Sequence, residues 1–289
     1  MIDAPPDAQE FTVDFESMEG GEVRLEYLQF PPGNVPQTRA RGTAFFYKGP
    51  SVHYPLPVIP GCTTYQENPP TKWPLAQAAN RQYLDVGQVI ITGGPQQFNL
   101  AAGAVTTPPT KDFLDRAYTG PWRFSSLNDM GRTFISDNTR YDVVLTGSAE
   151  WPAQIFEDVL YMPDAFPLIS PAASVSPVPL VANTPLTITY QVPTNTQLPA
   201  GSTVDTLIAF TNGNPPVVIC TEEGIDGSIT IPAATVDLIR AAVPGGSRIL
   251  RQHVVHNLRE LTNGITHQNQ RIDFLSVWCY NYPFSVPAP

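Results

Sequence analysis

The sequence predicts an all-β protein built from two β-sandwich domains in tandem, with one short helix in the second. Three observations lead to this. Short runs of alternating apolar and polar residues recur at about 8–12-residue intervals, each closed by a turn signal. The 32 prolines are spread along all 289 residues rather than gathered in one tract, as expected where many short extended segments end in proline turns. Hydrophobic residues make up 42% of the chain and charged residues only 15%, a balance that can fill two cores and is too apolar for a disordered chain.

Residues 1–9 carry Asp3-Ala4-Pro5-Pro6-Asp7-Ala8 and read as an acidic, proline-rich tether with nothing large enough to pack. The N-terminal domain is expected over 10–165. Phe11 to Phe15 alternates strictly, as does Val23 to Leu28 after the Gly20-Gly21 turn, and Thr43 to Tyr47 forms a third candidate strand. Pro50 to Pro74 reads as loop. Strand signals resume at Val86 to Thr92, Gln97 to Leu100, Arg132 to Ile135, Tyr141 to Thr146 and Val159 to Tyr161. The proline-rich, nearly uncharged stretch Pro163 to Pro179 marks the boundary.

The C-terminal domain is expected over 166–289. Leu186 to Val192 (L-T-I-T-Y-Q-V) is the clearest alternation in the chain. Thr206 to Phe210 and Val217 to Cys220 flank Asn212-Gly213-Asn214, a hairpin signal. Ser228 to Ile231 is a short strand, and Ile249 to Leu258 and Arg271 to Trp278 are the last two. Ala233 to Ala242 reads as the helix, with Pro232 at its start and Pro244-Gly245-Gly246 past its end.

The net charge is −10, with the acidic excess concentrated before residue 168. Only Lys72 and Lys111 follow Lys48, and there is no basic run. Nucleic acid and anionic membrane surfaces are therefore poor partners, since both need clustered Lys and Arg. No apolar run reaches the roughly 18 residues of a membrane helix, and Met1 to Ala8 does not read as a signal peptide.

Candidate sites are sparse, and no cofactor is indicated. His253 and His256 stand three apart in a strand, so they point to opposite faces and read as surface or rim residues. Cys62, in Pro60-Gly61-Cys62-Thr63, weighs as a buried or partner-linked cysteine ahead of a reactive thiol. Glu222, Glu223 and Asp226 gather oxygens that a calcium ion would use, against the plainer reading of a solvated turn. Cys220 and Cys279 each end an apolar strand, V-V-I-C and S-V-W-C. They are a candidate disulfide in an oxidising compartment, with two buried thiols as the alternative. Trp278, Tyr280 and Tyr282, with Phe284, share one strand face and suggest a sugar-stacking surface joined by Trp73, Tyr83 and Trp122. An aromatic core is the plainer reading. No nucleophile, base and orienter group together, so no enzyme is expected.

Several stretches resemble a known family. Asp226 to Ala233 (D-G-S-I-T-I-P-A), followed by the helix, a Gly-Gly turn and two long strands, is similar to the C-terminal immunoglobulin-like domain of exported two-domain lipoproteins of myxobacteria and related bacteria. Tyr83 to Gly93 (Y-L-D-V-G-Q-V-I-I-T-G) and Val144 to Ala153 (V-L-T-G-S-A-E-W-P-A) resemble stretches of their first domain. The 1–9 leader looks like the tether that follows their lipidated cysteine. No lipobox cysteine stands in this sequence, so a lipid anchor is implied only if a cysteine lies upstream. The resemblance implies immunoglobulin-like sandwiches and export, and no chemistry.

The resulting expectation is a non-enzymatic structural or interaction protein of the outer cell surface or an extracellular assembly, with protein partners or self-assembly, and strand addition as one mode. The alternatives are a viral capsid protein with a jelly-roll pair, and a carbohydrate-binding module using the aromatic face on a glycan.

Overall fold

The structure is a computed structural model and describes residues 19–30, 38–48, 61–65, 82–102, 118–119, 123–125, 131–163, 168–171, 176–192, 202–211, 217–223, 226–242, 247–261 and 270–286. The tether and the Phe11–Phe15 candidate strand lie outside these residues.

The described chain is mostly strand, in agreement with the all-β expectation. The first half supplies β1 (Glu19–Gln29), β2 (Thr38–Lys48), β3 (Gly61–Tyr65), β4 (Gln82–Tyr83), β5 (Val89–Thr92), β6 (Phe98–Ala102), β7 (Tyr118–Thr119), β8 (Arg123–Ser125), a single helical turn α1 (Gly131–Phe134), β9 (Thr139–Leu145) and β10 (Gln154–Met162). The second half supplies β11 (Leu168–Ser170), β12 (Val178–Pro179), β13 (Leu186–Tyr190), β14 (Ser202–Thr211), β15 (Val217–Glu223), β16 (Ser228–Ile231), α2 (Ala233–Ala242), β17 (Ser247–Leu261) and β18 (Gln270–Ser285).

Helix α2 and strand β16 span the residues that proline placement and alternation predict. The Val236 N–H closes the first turn of α2 on the Pro232 carbonyl at 3.0 Å, the position where a proline lacking its own N–H costs the helix nothing.

Two local expectations are corrected. Arg132 to Ile135 reads as a strand but forms α1. Phe134 and Ile135 are both buried, and the Phe134 ring lies 5.0 Å from that of Phe98. Tertiary burial thus overrides the local β signal in a segment closed at once by the Asp137-Asn138 turn, where Asn138 takes φ 50°. Pro50 to Pro74, expected as loop, contains β3. Its Thr63-Thr64-Tyr65 run has strand propensity, but its partner β15 lies far along the chain.

One 15-stranded sheet runs β10-β9-β5-β6-β7-β2-β1-β18-β17-β14-β15-β3, with β4 and β8 also on β2 and β12 on β18. The expected boundary at 165/166 is crossed by this sheet. Strand β1 is hydrogen-bonded in parallel to β18 from Glu19↔Gln270 to Gln29↔Tyr280 and antiparallel to β2, and β3 pairs with β15. Turn signals mark where strands end but not which distant strand they join, so two separate sandwiches were the local reading of a shared sheet.

The sheet folds back on itself into two facing layers. The Phe156 ring on β10 packs, tilted, 5.3 Å from that of Phe274 on β18, and the Tyr161 N–H donates to the Ser276 hydroxyl at 3.0 Å. Phe46 on β2 meets Trp151 at 5.5 Å. Gly42 lets β5 and β6 approach β2, since a Cβ there would stand 2.8 Å from Leu100 Cδ2. The core between the layers holds Val23, Leu25, Tyr27, Val89, Ile91, Phe98, Tyr141 and Val143.

A smaller sheet, β11-β13-β16, packs with α2 through Ile188, Tyr190, Ile229, Ile231, Val236 and Ile239. It joins the main sheet through β12, which runs parallel to β18, and through the Leu180 N–H bonded to the Ser285 carbonyl at 2.8 Å.

Candidate functional site

Strand β1 is buried on both faces, and the two faces differ in chemistry. Val23, Leu25 and Tyr27 face the aromatic core. Glu22, Arg24 and Glu26, next to them in sequence and turned to the other side, are only 3%, 5% and 6% exposed. The Arg24 guanidinium bridges both carboxylates, with Nη2 2.8 Å from Glu22 Oε1 and Nη1 3.4 Å from Glu26 Oε1. Arg41, opposite Glu26 on β2, adds a contact of 3.8 Å to Glu26 Oε2, and buried Asp273 stands opposite Glu22 on β18.

Desolvating this many charges is costly, so the row is weak evidence for stability. Its effect is on pairing. A slip of β1 by one residue would turn Glu22, Arg24 and Glu26 into the layer of Phe274 and Trp278. The buried charges and the apolar face of Val23, Leu25 and Tyr27 both penalise such a slip.

The two ends of the main sheet are treated differently. At the β10 end, the strand bulges between Phe156 and Leu160, where Asp158 takes φ 53° and its N–H donates to Asp142 Oδ1 at 2.8 Å. The exposed Glu157 and Asp158 carboxylates and this bulge blunt the edge, although Ile155 is 67% exposed. At the other end, β3 pairs with β15 through Thr221↔Gly61 to Val217↔Tyr65 and has no second partner strand among the described residues. Next to the end pair of that ladder, Cys62 and Cys220 face each other and are joined by a disulfide across 158 residues of sequence.

This pairing replaces the expected Cys220–Cys279 bond. Cys220 stands opposite Ile208, Ile208 opposite Arg251, and Arg251 opposite Tyr280, the neighbour of Cys279. Three strand spacings, roughly 14 Å, separate β15 from β18, well beyond disulfide reach. Both cysteine-bearing strands are apolar, and that resemblance suggested a facing pair. The true partner, Cys62, sits in a segment read as loop.

Of the calcium candidates, the Glu222 and Glu223 side chains lie outside the described residues. Glu222 and Glu223 lie within β15, opposite Thr206 and Asp205, while Asp226 is outside it and accepts the Ser228 N–H at 2.8 Å. No group of three or more metal-ligating side chains occurs among the described residues.

The aromatic face is internal. Trp278 and Tyr280 are 0% and 3% exposed, their rings 6.3 Å apart, and Trp278 packs 4.3 Å from Tyr27. They are core, and no sugar ring can stack on them. The side chains of Tyr282 and Tyr83, and all of Trp73 and Trp122, lie outside the described residues. So do the side chains of His253 and His256, whose backbones lie in β17.

Among the described residues, burial perturbs Tyr141 and Arg39. Desolvation pushes the Tyr141 hydroxyl up to about 12, with nearby Asp137 adding to the rise and its hydrogen bond to the Ser136 backbone opposing it. Partial burial lowers Arg39, whose guanidinium lies 4.9 Å from the centre of the Phe30 ring. An arginine remains charged after such a shift, so Arg39 adds to the cations on the face it shares with Arg41.

Neither a family model nor a curated protein matches the chain.

Proposed function

We propose that this chain is a non-enzymatic structural or interaction protein, exported to the cell surface or an extracellular assembly, that meets its protein partners, or other copies of itself, through sheet edges. The observation that carries the proposal is the Cys62–Cys220 disulfide across β3 and β15. Such bonds form and persist in oxidising compartments and are rare in the reducing cytosol. Its position on the outermost described strand also supports an edge kept ordered for contact, because edge strands present unpaired backbone groups to incoming strands. The immunoglobulin-like character of the sandwich layers belongs to the same proposal and rests on the residue patterns quoted for Val144–Ala153 and Asp226–Ala233.

The test is fractionation of the cells that make the protein naturally, with free thiols blocked at lysis. The expected result is protein in the envelope surface or external medium, with Cys62 and Cys220 protected from alkylation until a reductant is added. Protein in the cytosol with both thiols alkylated overturns the proposal.

A further inference from the structure

We propose that β18 is the closing strand of this fold: the strands made before it hold only marginal pieces of sheet, and the protein becomes stable in one step when β18 enters between β1 and β17. The device follows from topology and is independent of where the protein acts.

Strand β18 stands in the middle of the main sheet, yet it is the last described strand in the sequence. It pairs in parallel with β1 from Glu19↔Gln270 to Gln29↔Tyr280, antiparallel with β17 from Ser247↔Phe284 to Leu261↔Gln270, and in parallel with β12 at Val178 and Pro179. In the order of the sheet, no other described strand joins the part from β10 to β1 with the part from β17 to β3. The same strand also holds the facing layer. The Phe274 ring lies 5.3 Å from that of Phe156, and the Ser276 hydroxyl accepts the Tyr161 N–H.

Both faces of β18 are buried. Phe274, Trp278 and Tyr280 on one face, and Asp273, Leu275 and Val277 on the other, are all at most 5% exposed. Without the strand, β1 and β17 become bare edges, and Tyr27 loses the Trp278 ring that lies 4.3 Å away. The net stability of a domain is a small remainder of large opposing terms, so loss of a strand buried on both faces removes it. The pairing of β1 with β18 also closes a loop of nearly the whole described chain, the kind of non-local contact that forms slowly. Docking of β18 is therefore the slow step. A chain interrupted before Gln270 is left open to proteolysis, so the fold checks its own completeness.

The experiment is refolding of the full chain from urea, with the Cys62–Cys220 bond intact, followed by pulse-labelled hydrogen exchange. Amides of β1, β14 and β17 should gain protection with the same time constant as those of β18. Phe274→Leu should slow refolding roughly fivefold, the effect of a typical core substitution, with little change in the unfolding rate. Val236→Ala in α2 should do the reverse, refolding near the parental rate and unfolding faster. Protection of β1 or β17 ahead of β18 overturns the proposal. So does a Phe274→Leu variant that refolds at the parental rate and only unfolds faster.

Discussion

Tyr27 and Trp278 occupy matching register positions on the parallel strands β1 and β18, and their rings lie 4.3 Å apart, tilted by 34°. A residue near the start of the chain thus packs on one near its end. Parallel pairing of this kind needs a long crossover, and the whole chain between β1 and β18 provides it. The contact ties the N-terminal hairpin to the C-terminal strand inside the core.

Trp278→Ala should therefore destabilise the entire sheet. The side chain is fully buried against Tyr27 and Tyr280, and truncating such an aromatic costs about 3–5 kcal/mol. Urea unfolding followed by far-ultraviolet circular dichroism should show a lower midpoint with an unchanged slope. Trp278→Phe keeps most of the packing and should lose less than half as much. If the alanine variant unfolds at the parental midpoint, Trp278 is not a core residue.

Arg24→Met tests the charged row. It leaves Glu22 and Glu26 without the guanidinium that bridges them at 2.8 and 3.4 Å, and breaking a buried pair costs about 3–5 kcal/mol. Replacing the three residues together, as Glu22→Leu, Arg24→Met and Glu26→Leu, should recover much of that loss, because no buried charge is stranded on β1. A triple variant less stable than Arg24→Met alone would show that the row stabilises the sheet outright. Loss of a single set of amide resonances in the triple variant would reveal register slippage.

The extent to which the fold was legible varies with how local its causes are. Helix α2 and strands β13 and β16 follow from alternation, Pro232 and the glycines after Ala242, all within a few residues. The Glu22-Val23-Arg24-Leu25-Glu26-Tyr27 alternation announced a strand, but the usual inference from its charged positions is a solvated face. Here that face is buried, because β1 lies between β2 and β18 in the middle of the sheet. Which strand pairs with which is a long-range fact with no local signature. One feature, the pairing of early strands with late ones, displaces both the boundary at 165/166 and the Cys220–Cys279 pairing. Three cysteines are compatible with three pairings, and the Thr63-Thr64-Tyr65 run beside Cys62 carries strand propensity but no indication of its partner.

Tyr141 should make stability fall in alkali. Its pKa is pushed up to about 12, chiefly by burial, so the folded state holds the proton more tightly than the unfolded chain, whose tyrosines titrate near pH ~10. The stabilisation is fully present below about pH 10 and is lost as pH rises from there through the folded-state pKa, by on the order of 2 kcal/mol. Tyr141→Phe should be less stable at neutral pH, since it loses the hydrogen bond accepted from the Ser136 N–H at 2.8 Å. The two stability curves should converge as the pH rises. Tyrosinate absorbance in the folded protein should show one late-titrating group missing in the variant. Parallel curves would mean that Tyr141 is not the buried phenol.

Gly87 and Gly61 allow backbone strain to be separated from steric exclusion. Both have positive φ, 78° and 138°, a region that L side chains adopt at a cost of about 1–3 kcal/mol. At Gly61 an added Cβ meets nothing within 4 Å, whereas at Gly87 it would stand 2.3 Å from the Gly147 carbonyl oxygen. That close approach belongs to a clasp between two loops. The Gly147 N–H bonds to the Val86 carbonyl at 3.0 Å, the Ser148 hydroxyl to the Asp85 carbonyl at 2.6 Å, and the Asp85 N–H to Glu150 Oε2 at 2.7 Å. A methyl group at Gly87 must push the clasp apart and break these bonds together, at about 1 kcal/mol or more each. Gly87→Ala should therefore cost at least ~2 kcal/mol more than Gly61→Ala in thermal unfolding, with fast hydrogen exchange at Asp85, Gly147 and Ser148. Equal losses in the two variants would mean that the clasp opens freely and that only the backbone conformation is being measured.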